Sequence, residues 1–138
     1  MFSKNFDKWD TILGWVVFFI ALITYGITVE PTGSFWDAGE YICTSAKLQV
    51  GHPPGAPLFQ MIGAFFAMFA LDADHTAQMV NYMSGVSSAF TILLMFWTIT
   101  NLTRKLIGEE GVLSNAQALA VLGSGLVGAL AFTYSDSF

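Results

Sequence analysis

The sequence is short of charge. Lysine, arginine, aspartate and glutamate together make up 11% of the 138 residues, whereas hydrophobic residues make up 54%. A soluble domain of this size needs a larger polar surface. The stretch 11–29 contains no charged residue at all, and about 20 apolar residues are enough to cross the bilayer core. The composition therefore excludes a soluble domain and predicts an all-α integral membrane protein, a polytopic helical bundle.

Cysteine and basic residues are also scarce. Cys43 is the only cysteine, so the chain forms no internal disulfide. Five basic residues stand against ten acidic ones, with no basic patch interleaved with aromatic side chains, which excludes a nucleic-acid partner. The acids lie outside the apolar runs, whereas a transporter or channel places carboxylates inside its spans. This pattern disfavours an ion path.

Three apolar segments predict membrane-spanning helices, at about 11–29, 76–103 and 116–134. Lys4 and Lys8 precede the first segment, and Arg104 and Lys105 follow the second. Basic residues favour the cytoplasmic side of a membrane. We therefore expect a cytoplasmic N-terminus and two crossings between the two basic clusters.

A fourth apolar stretch, 57–71, is short for a span. It is predicted to lie on the membrane surface as an interfacial helix, beside a second interfacial helix at about 35–50. The charge distribution allows this arrangement, although the sequence "LDADH" after it is also compatible with a tight inner turn that would make the stretch a crossing.

Small and polar residues mark faces of the last two spans. Asn81, Ser84, Ser88, Thr91 and Thr98 follow helical spacing, which indicates helix packing or a substrate groove. In the last segment, small residues four apart predict close helix packing; the pairs are Ser124 with Gly128 and Gly125 with Ala129. The residue expected to cap that helix is Ser114 or Asn115.

Two carboxylates, Asp37 and Glu40, follow the first span. Ser34 stands three residues before Asp37, which forms the Ser-x-x-Asp variant of a capping box. Asp37, Glu40, Thr44 and Lys47 also share one helical face, which predicts an amphipathic helix with a wet side on the membrane surface. On residues alone, a capped surface helix accounts for the pattern.

The segment "GHPPGAP" at 51–57 predicts a stiff turn. Pro53 and Pro54 fix φ, and Gly51 and Gly55 permit bends on either side. The turn would present His52 near the start of the next apolar helix. A histidine at an interface is either structural or functional, and both interpretations stay open.

The run "WDAGEYICTSAKLQVGHPPGAPLF" resembles the N-terminal part of the GT-C glycosyltransferases, and most of all the bacterial and animal transmembrane O-mannosyltransferase-like family. The acid pair followed by His-Pro-Pro-Gly carries the resemblance. In the wider protein O-mannosyltransferases the two acids are adjacent, whereas Ala38 and Gly39 separate them here, which bears on the role of Glu40 more than on that of Asp37. Family members are far longer, so we expect an N-terminal fragment.

The resemblance implies an inverting transfer of a sugar, mannose first, from a polyprenyl-phosphate donor to protein Ser or Thr hydroxyls. Asp37 is the expected catalytic base. Glu40, His52, Lys47 and Tyr41 are the expected donor- or substrate-binding residues, and Lys47 suits a lipid headgroup equally well. The apolar 57–71 helix is expected to receive the prenyl chain or to be buried in the interface. No metal site is expected from the spacing. Some GT-C relatives use a divalent ion, so the resemblance leaves metal dependence open.

The expected location is the inner membrane, with the site on the periplasmic or lumenal face. Partners would be the lipid bilayer, the polyprenyl-phosphate sugar, a protein acceptor and the remaining helices of the parent chain. A piece of this length is expected to be inactive alone, because other helices complete the donor pocket. A non-catalytic scaffold subunit and a transporter component are the alternative functions.

Overall fold

A computed structural model describes residues 3–53, 55–107 and 113–135, which form helices joined by loops and contain no strand. A 3₁₀ turn at Ser3–Asn5 precedes five α-helices: α1 Phe6–Thr28, α2 Ala38–Ala46, α3 Pro57–Ala67, α4 Thr76–Ile107 and α5 Asn115–Thr133. Of these, α1, α4 and α5 have the length and apolar composition of a membrane span. The predicted all-α membrane class is thereby confirmed.

The chain divides into two compact units. One contains the residues up to Thr24 and those from Ser88 onward, and the other contains Tyr25–Ser87. The short helices α2 and α3 and the first turns of α4 belong to the second unit. All residues of the candidate site lie in that unit.

In the first unit, glycines bring α5 close to α4. A Cβ added at Gly125 would lie 2.6 Å from Cγ2 of Thr100, and one at Gly128 would lie 2.5 Å from Cδ1 of Ile99. At Gly125 a methyl group would also lie 2.9 Å from Cε2 of the buried Phe96, whereas at Gly128 the Ile99 side chain alone would have to move. The predicted packing of small residues is confirmed at both glycines.

The ends of the long helices are fixed by side chains. Helix α1 begins at Phe6, before the apolar run 11–29, and its first turn is tied to the end of α4. Arg104 Nη1 lies 3.0 Å from Asp7 Oδ1, and its guanidinium lies 5.0 Å from the centroid of the Phe6 ring. At α5, Ser114 is the N-cap, with a full capping box to Gln117, which decides between the two expected capping residues.

In the second unit, α2 packs against α3 at a glycine. A Cβ at Gly63 would lie 2.7 Å from Oγ and 2.9 Å from Cβ of Ser45, a residue that is fully buried. Beside this contact, the buried Gln60 donates from Nε2 to Thr44 Oγ1 at 3.2 Å. The two short helices are therefore held together by close approach and one buried hydrogen bond.

Helix α2 ends in a Schellman motif built on a leucine. The Gln49 N–H donates to the Thr44 carbonyl and the Leu48 N–H to the Ser45 carbonyl, at 2.8 and 3.2 Å. Leu48 has φ +49°, a left-handed conformation normally taken by glycine. The motif reverses the chain soon after Ala46 and directs it toward the turn that carries His52.

The segment between α1 and α2 is anchored by Asn81, the first member of the predicted polar stripe. Its Nδ2 group donates to the carbonyls of Glu30 and Thr32 at 2.8 and 2.9 Å. Farther along α4, the Thr98 hydroxyl donates to Leu94 of its own helix. The stripe therefore contains a residue that fixes a loop as well as one satisfied within its helix.

Candidate functional site

Asp37 occupies the N-cap position of α2, but its side chain accepts no capping hydrogen bond. Its φ of −78° and ψ of 1° are close to helical, whereas a capping side chain needs an extended backbone to reach the first amides. The helix begins at Ala38, so Ser34 lies outside the cap as well, and the predicted Ser34–Asp37 capping box is wrong. The carboxylate of Asp37 is left exposed and uncommitted to the helix end.

The residue before Asp37 is strained. Trp36 has φ +60° and is 98% exposed. The left-handed region is unfavourable for a bulky residue, and backbone strain of this kind clusters at functional sites. The unusual conformation of Trp36 sets the direction in which the chain enters Asp37.

Glu40, in the first turn of α2, binds His52 with both carboxylate oxygens. Oε1 accepts from the His52 backbone N–H at 2.7 Å, and Oε2 lies 2.7 Å from Nδ1 of the ring. Because a carboxylate only accepts, Nδ1 carries a hydrogen in this arrangement. The contact fixes the position of the imidazole and leaves Nε2 as the ring nitrogen that Glu40 does not bind.

The third member of the group is Asp37. Its Oδ2 lies 3.9 Å from Nε2 of His52, which is beyond hydrogen-bond length. The structure therefore brings together three of the predicted site residues and leaves Asp37 and His52 Nε2 available at the exposed side of the cluster. We define the acid–histidine cluster as Asp37, Glu40 and His52.

The ionisation of the cluster follows from these contacts. The hydrogen bond and the charge of Glu40 raise the pKa of His52 above its ordinary value, with a smaller contribution from Asp37. The hydrogen bonds from His52, backbone first and then side chain, lower the pKa of Glu40. Glu40 therefore makes the protonated imidazole of His52 more favourable than it is in a free histidine.

The turn between α2 and α3 depends on glycine at two points. The Gly55 N–H donates to the His52 carbonyl at 2.9 Å, and Gly55 has φ +75°. A Cβ on Gly51 would lie 3.1 Å from Oε1 of Glu40 and 3.2 Å from Nε2 of Gln60. His52 and Pro53 are described in this turn, whereas Pro54 lies outside the described residues.

Two members of the predicted polar face of α2 behave differently from the expectation. Thr44 is 7% exposed and donates to the Glu40 carbonyl, so the prediction that it lies on a wet face is wrong. The reason is α3, whose Gln60 covers it. Lys47 is the exposed C-cap residue, and within the described residues no hydrogen bond or ion pair joins it to the acid–histidine cluster.

A cavity of about 500 Å³ lies beside this cluster in the same unit. Tyr41 and Phe59 contribute aromatic rings, whose centroids are 5.4 Å apart at an angle of 71°. The polar lining residues are Ser34, Asn81 and Ser84. Tyr41 links the cavity to the cluster, since its ring centroid lies 6.5 Å from that of His52.

Sequence reasoning missed Gln60 and Gly63, and of the cavity it anticipated only that Asn81 and Ser84 could line a groove. The only signals of Gln60 and Gly63 were an amide and a glycine inside an apolar helix, which are weak by themselves. In the described ranges, no set of three histidine, cysteine or acidic side chains is arranged to hold a metal ion.

Comparison with known proteins gives one family. The family model "Protein O-mannosyl-transferase TMEM260 N-terminal domain" matches residues 37–138, a range that begins at Asp37 and includes Glu40 and His52. No solved structure matches the chain.

Two curated relatives are similar over most of the chain. "Protein O-mannosyl-transferase tmem260" of Dictyostelium discoideum is 32% identical over 94 residues, which cover 67% of this chain and 12% of that protein. "Protein O-mannosyl-transferase TMEM260" of Mus musculus is 30% identical over 87 residues, 63% of this chain and 12% of that protein. The match therefore spans only a small part of either relative.

Proposed function

The chain belongs to the protein O-mannosyl-transferase TMEM260 N-terminal domain family, and on this premise we propose that it supplies the acid-bearing part of a glycosyltransferase that attaches mannose to protein Ser or Thr hydroxyls. The relatives carry the name of this activity. The observation that favours a catalytic role here is the exposed Asp37 carboxylate, uncommitted to the helix cap and 3.9 Å from a histidine that Glu40 holds in place.

The donor in this proposal is mannose linked to a polyprenyl phosphate. The acceptor oxygen forms a bond to the anomeric carbon while the bond from that carbon to the phosphate oxygen breaks, and the electron pair leaves with the phosphate. The hydroxyl proton goes to Asp37. A positioned base of this kind contributes about 10²–10⁴-fold to the rate. Direct displacement inverts the anomeric centre.

His52 and Glu40 act as a unit on the leaving group. Glu40 occupies Nδ1, so Nε2 is the ring atom left to donate to a donor phosphate oxygen. The raised pKa of His52 supports the cationic form that such a contact needs. Glu40 is a positioning residue in this scheme, because it acts through His52.

The lipid part of the donor would lie along α3. Three of its side chains and that of the C-cap residue share one helical face and are 57–80% exposed; they are Leu58, Met61, Phe65 and Met68. No charged residue interrupts the helix. Such a face fits a prenyl chain or the bilayer interface, whereas the exposed Lys47 suits a phosphate or a lipid headgroup.

For the membrane topology, we propose a cytoplasmic N-terminus and a site on the periplasmic or lumenal face of the inner membrane. The ion pair between Asp7 and Arg104 supports this, since it joins the start of α1 to the end of α4. Both basic clusters, Lys4 with Lys8 and Arg104 with Lys105, would then lie on one side, as basic residues favour.

The test uses the full-length protein in membranes with labelled polyprenyl-phosphate mannose. Asp37→Asn is expected to reduce transfer to protein by about 10²–10⁴-fold with unchanged expression. Asp72→Asn is the matched control, because Asp72 also contacts a histidine, His75, but outside the site. If the Asp37→Asn variant transfers mannose at the rate of the control, Asp37 is not the catalytic base. Absence of transfer by the wild type would refute the proposed donor and favour a scaffold role.

A further inference from the structure

The cavity beside the acid–histidine cluster has unused hydrogen-bonding groups. Within the part of the chain that the structure describes, the hydroxyls of Ser34 and Ser84 make no hydrogen bond. Asn81 commits its amide hydrogens to the carbonyls of Glu30 and Thr32, so its own carbonyl oxygen is the part of the side chain that remains to accept. The cavity therefore offers two hydroxyls and one amide oxygen to a guest.

The residue types that line the cavity indicate which class of ligand it can bind. Among the described residues that line the cavity, none is a lysine, arginine, histidine or acid, so a phosphate or another ion would find no counter-charge on these walls. Ser34 and Ser84 are exposed and Asn81 is half-buried, and a bare hydrocarbon chain laid over them would displace water without offering them a hydrogen bond, which is unfavourable. A neutral ligand with hydroxyls on its edge and an apolar face matches both the polar and the apolar residues of the lining.

A hexose ring is such a ligand. Its hydroxyls both donate and accept, and its C–H face packs against an aromatic ring such as Tyr41. The volume of about 500 Å³ lies within the range of small-molecule pockets, which combine apolar and aromatic walls with a few placed polar groups. The ring would be next to the reacting groups, since Ala38 lines the cavity and follows Asp37 in the chain.

We propose that this cavity is the subsite for the donor's hexosyl ring, with Ser34 and Ser84 bonding sugar hydroxyls and Tyr41 packing against a C–H face. The inference rests on the proposed function and adds a sugar-binding role for the start of α4. It places the sugar in the cavity, the phosphate at His52 and the acceptor hydroxyl at Asp37.

The experiment compares Ser34→Ala, Ser84→Ala and the control Thr98→Val in the full-length protein. The Thr98 hydroxyl donates within its own helix and does not line the cavity. Three constants are measured: KM for polyprenyl-phosphate mannose, KM for the acceptor peptide, and the inhibition constant of sugar-free polyprenyl phosphate. Each serine variant is expected to raise the donor KM about 3- to 10-fold, the usual effect of one lost neutral hydrogen bond, and to leave the other two constants unchanged.

Three results would overturn the subsite. Equal increases in the donor KM and in the inhibition constant would assign the cavity to the lipid, and an increase in the acceptor KM would assign it to the peptide. If both serine variants leave all three constants unchanged while the wild type transfers mannose, the sugar subsite is refuted and the proposed function is not. Ser34 and Ser84 lie on separate elements, so misfolding of one variant leaves the other as an independent test. Absence of wild-type transfer would refute the proposed function and this inference with it.

Discussion

Replacing Gly63 by alanine is expected to separate α2 from α3 and to disturb the candidate site from a distance. The added methyl group would lie 2.9 Å from Cβ of Ser45 as well as 2.7 Å from its Oγ. A rotamer change can move Oγ away, but it cannot move Cβ, which is fixed to the backbone of α2. Since Ser45 is fully buried, one of the two helices must shift.

The size of the effect follows from two opposing contributions. Overpacking of a tight contact costs about 1–3 kcal/mol, and this contact belongs at the upper end because it involves atoms fixed to both backbones. Alanine is favoured over glycine within a helix by about 1 kcal/mol. We therefore expect Gly63→Ala to lower the free energy of unfolding by about 2 kcal/mol, roughly a 30-fold change in the folding equilibrium.

The compensating variant is the exchange Ser45→Gly with Gly63→Ala. It moves the methyl group across the interface and keeps one glycine, so stability is expected to return to within about 0.5 kcal/mol of the wild type. The Ser45 hydroxyl is buried without a hydrogen-bond partner among the described residues, so its loss removes no bond. The double variant Ser45→Ala with Gly63→Ala retains the Cβ atom of residue 45, so it should recover only part of the lost stability.

The assay is a double-mutant cycle on unfolding in mixed detergent micelles, with Gly26→Ala as the control, because a Cβ at Gly26 meets no atom within 4 Å. A coupling free energy of about 2 kcal/mol between positions 45 and 63 is expected. A coupling below about 0.5 kcal/mol, or a stable Gly63→Ala variant, would show that the helices do not approach this closely.

Of three further predictions, two concern the acid–histidine cluster and one concerns the last helix. Glu40→Gln removes the carboxylate that raises the pKa of His52, so this pKa should fall toward 6.5. The alkaline limb of the pH profile of kcat/KM should then move to lower pH. If the limb does not move, the titration of His52 is not its cause. In the wild type, the Glu40–His52 contact should stabilise the folded state fully between about pH 4.5 and 6.5. This contribution should be lost as the pH rises through the raised pKa of His52 or falls through the lowered pKa of Glu40. It is measured as the free energy of unfolding against pH, with Glu40→Gln as the reference. Ser114→Ala removes the cap of α5 and is expected to cost about 1 kcal/mol of stability, whereas the neighbouring exposed Ala116→Ser should cost less; equal costs would contradict the capping role.

The parts of the fold that could be predicted are those set by composition and local spacing. Apolar runs without charge indicate spans because the bilayer tolerates few charged side chains. The pairs Ser124 with Gly128 and Gly125 with Ala129 indicated close packing because small residues four apart face one neighbour. Helix α1 extends beyond its apolar run to Phe6 because Arg104 binds its first turn, a contact between residues far apart in sequence.

The candidate site was predictable in its residues but not in its geometry. Asp37, Glu40 and His52 stand out by chemistry, but their approach depends on the chain reversing at Leu48, and a leucine gives no signal for φ +49°. The capping prediction failed for a similar reason: the sequence pattern fits a cap, whereas the backbone at Asp37 does not take the extended form. The polar stripe of α4 allowed a groove at Asn81 and Ser84, but the cavity also required α4 to face α2, which no local pattern encodes.

The bond from Glu40 to His52 joins residues only twelve positions apart, and the bond from Gln60 to Thr44 only sixteen. Contacts at such short separation close small loops, which costs little chain entropy and is fast. The acid–histidine cluster can therefore assemble from the stretch 37–63 during synthesis, before α4 has been made. The later helix then adds the wall that carries Asn81 and Ser84, so the acid–histidine cluster would form first and the cavity second.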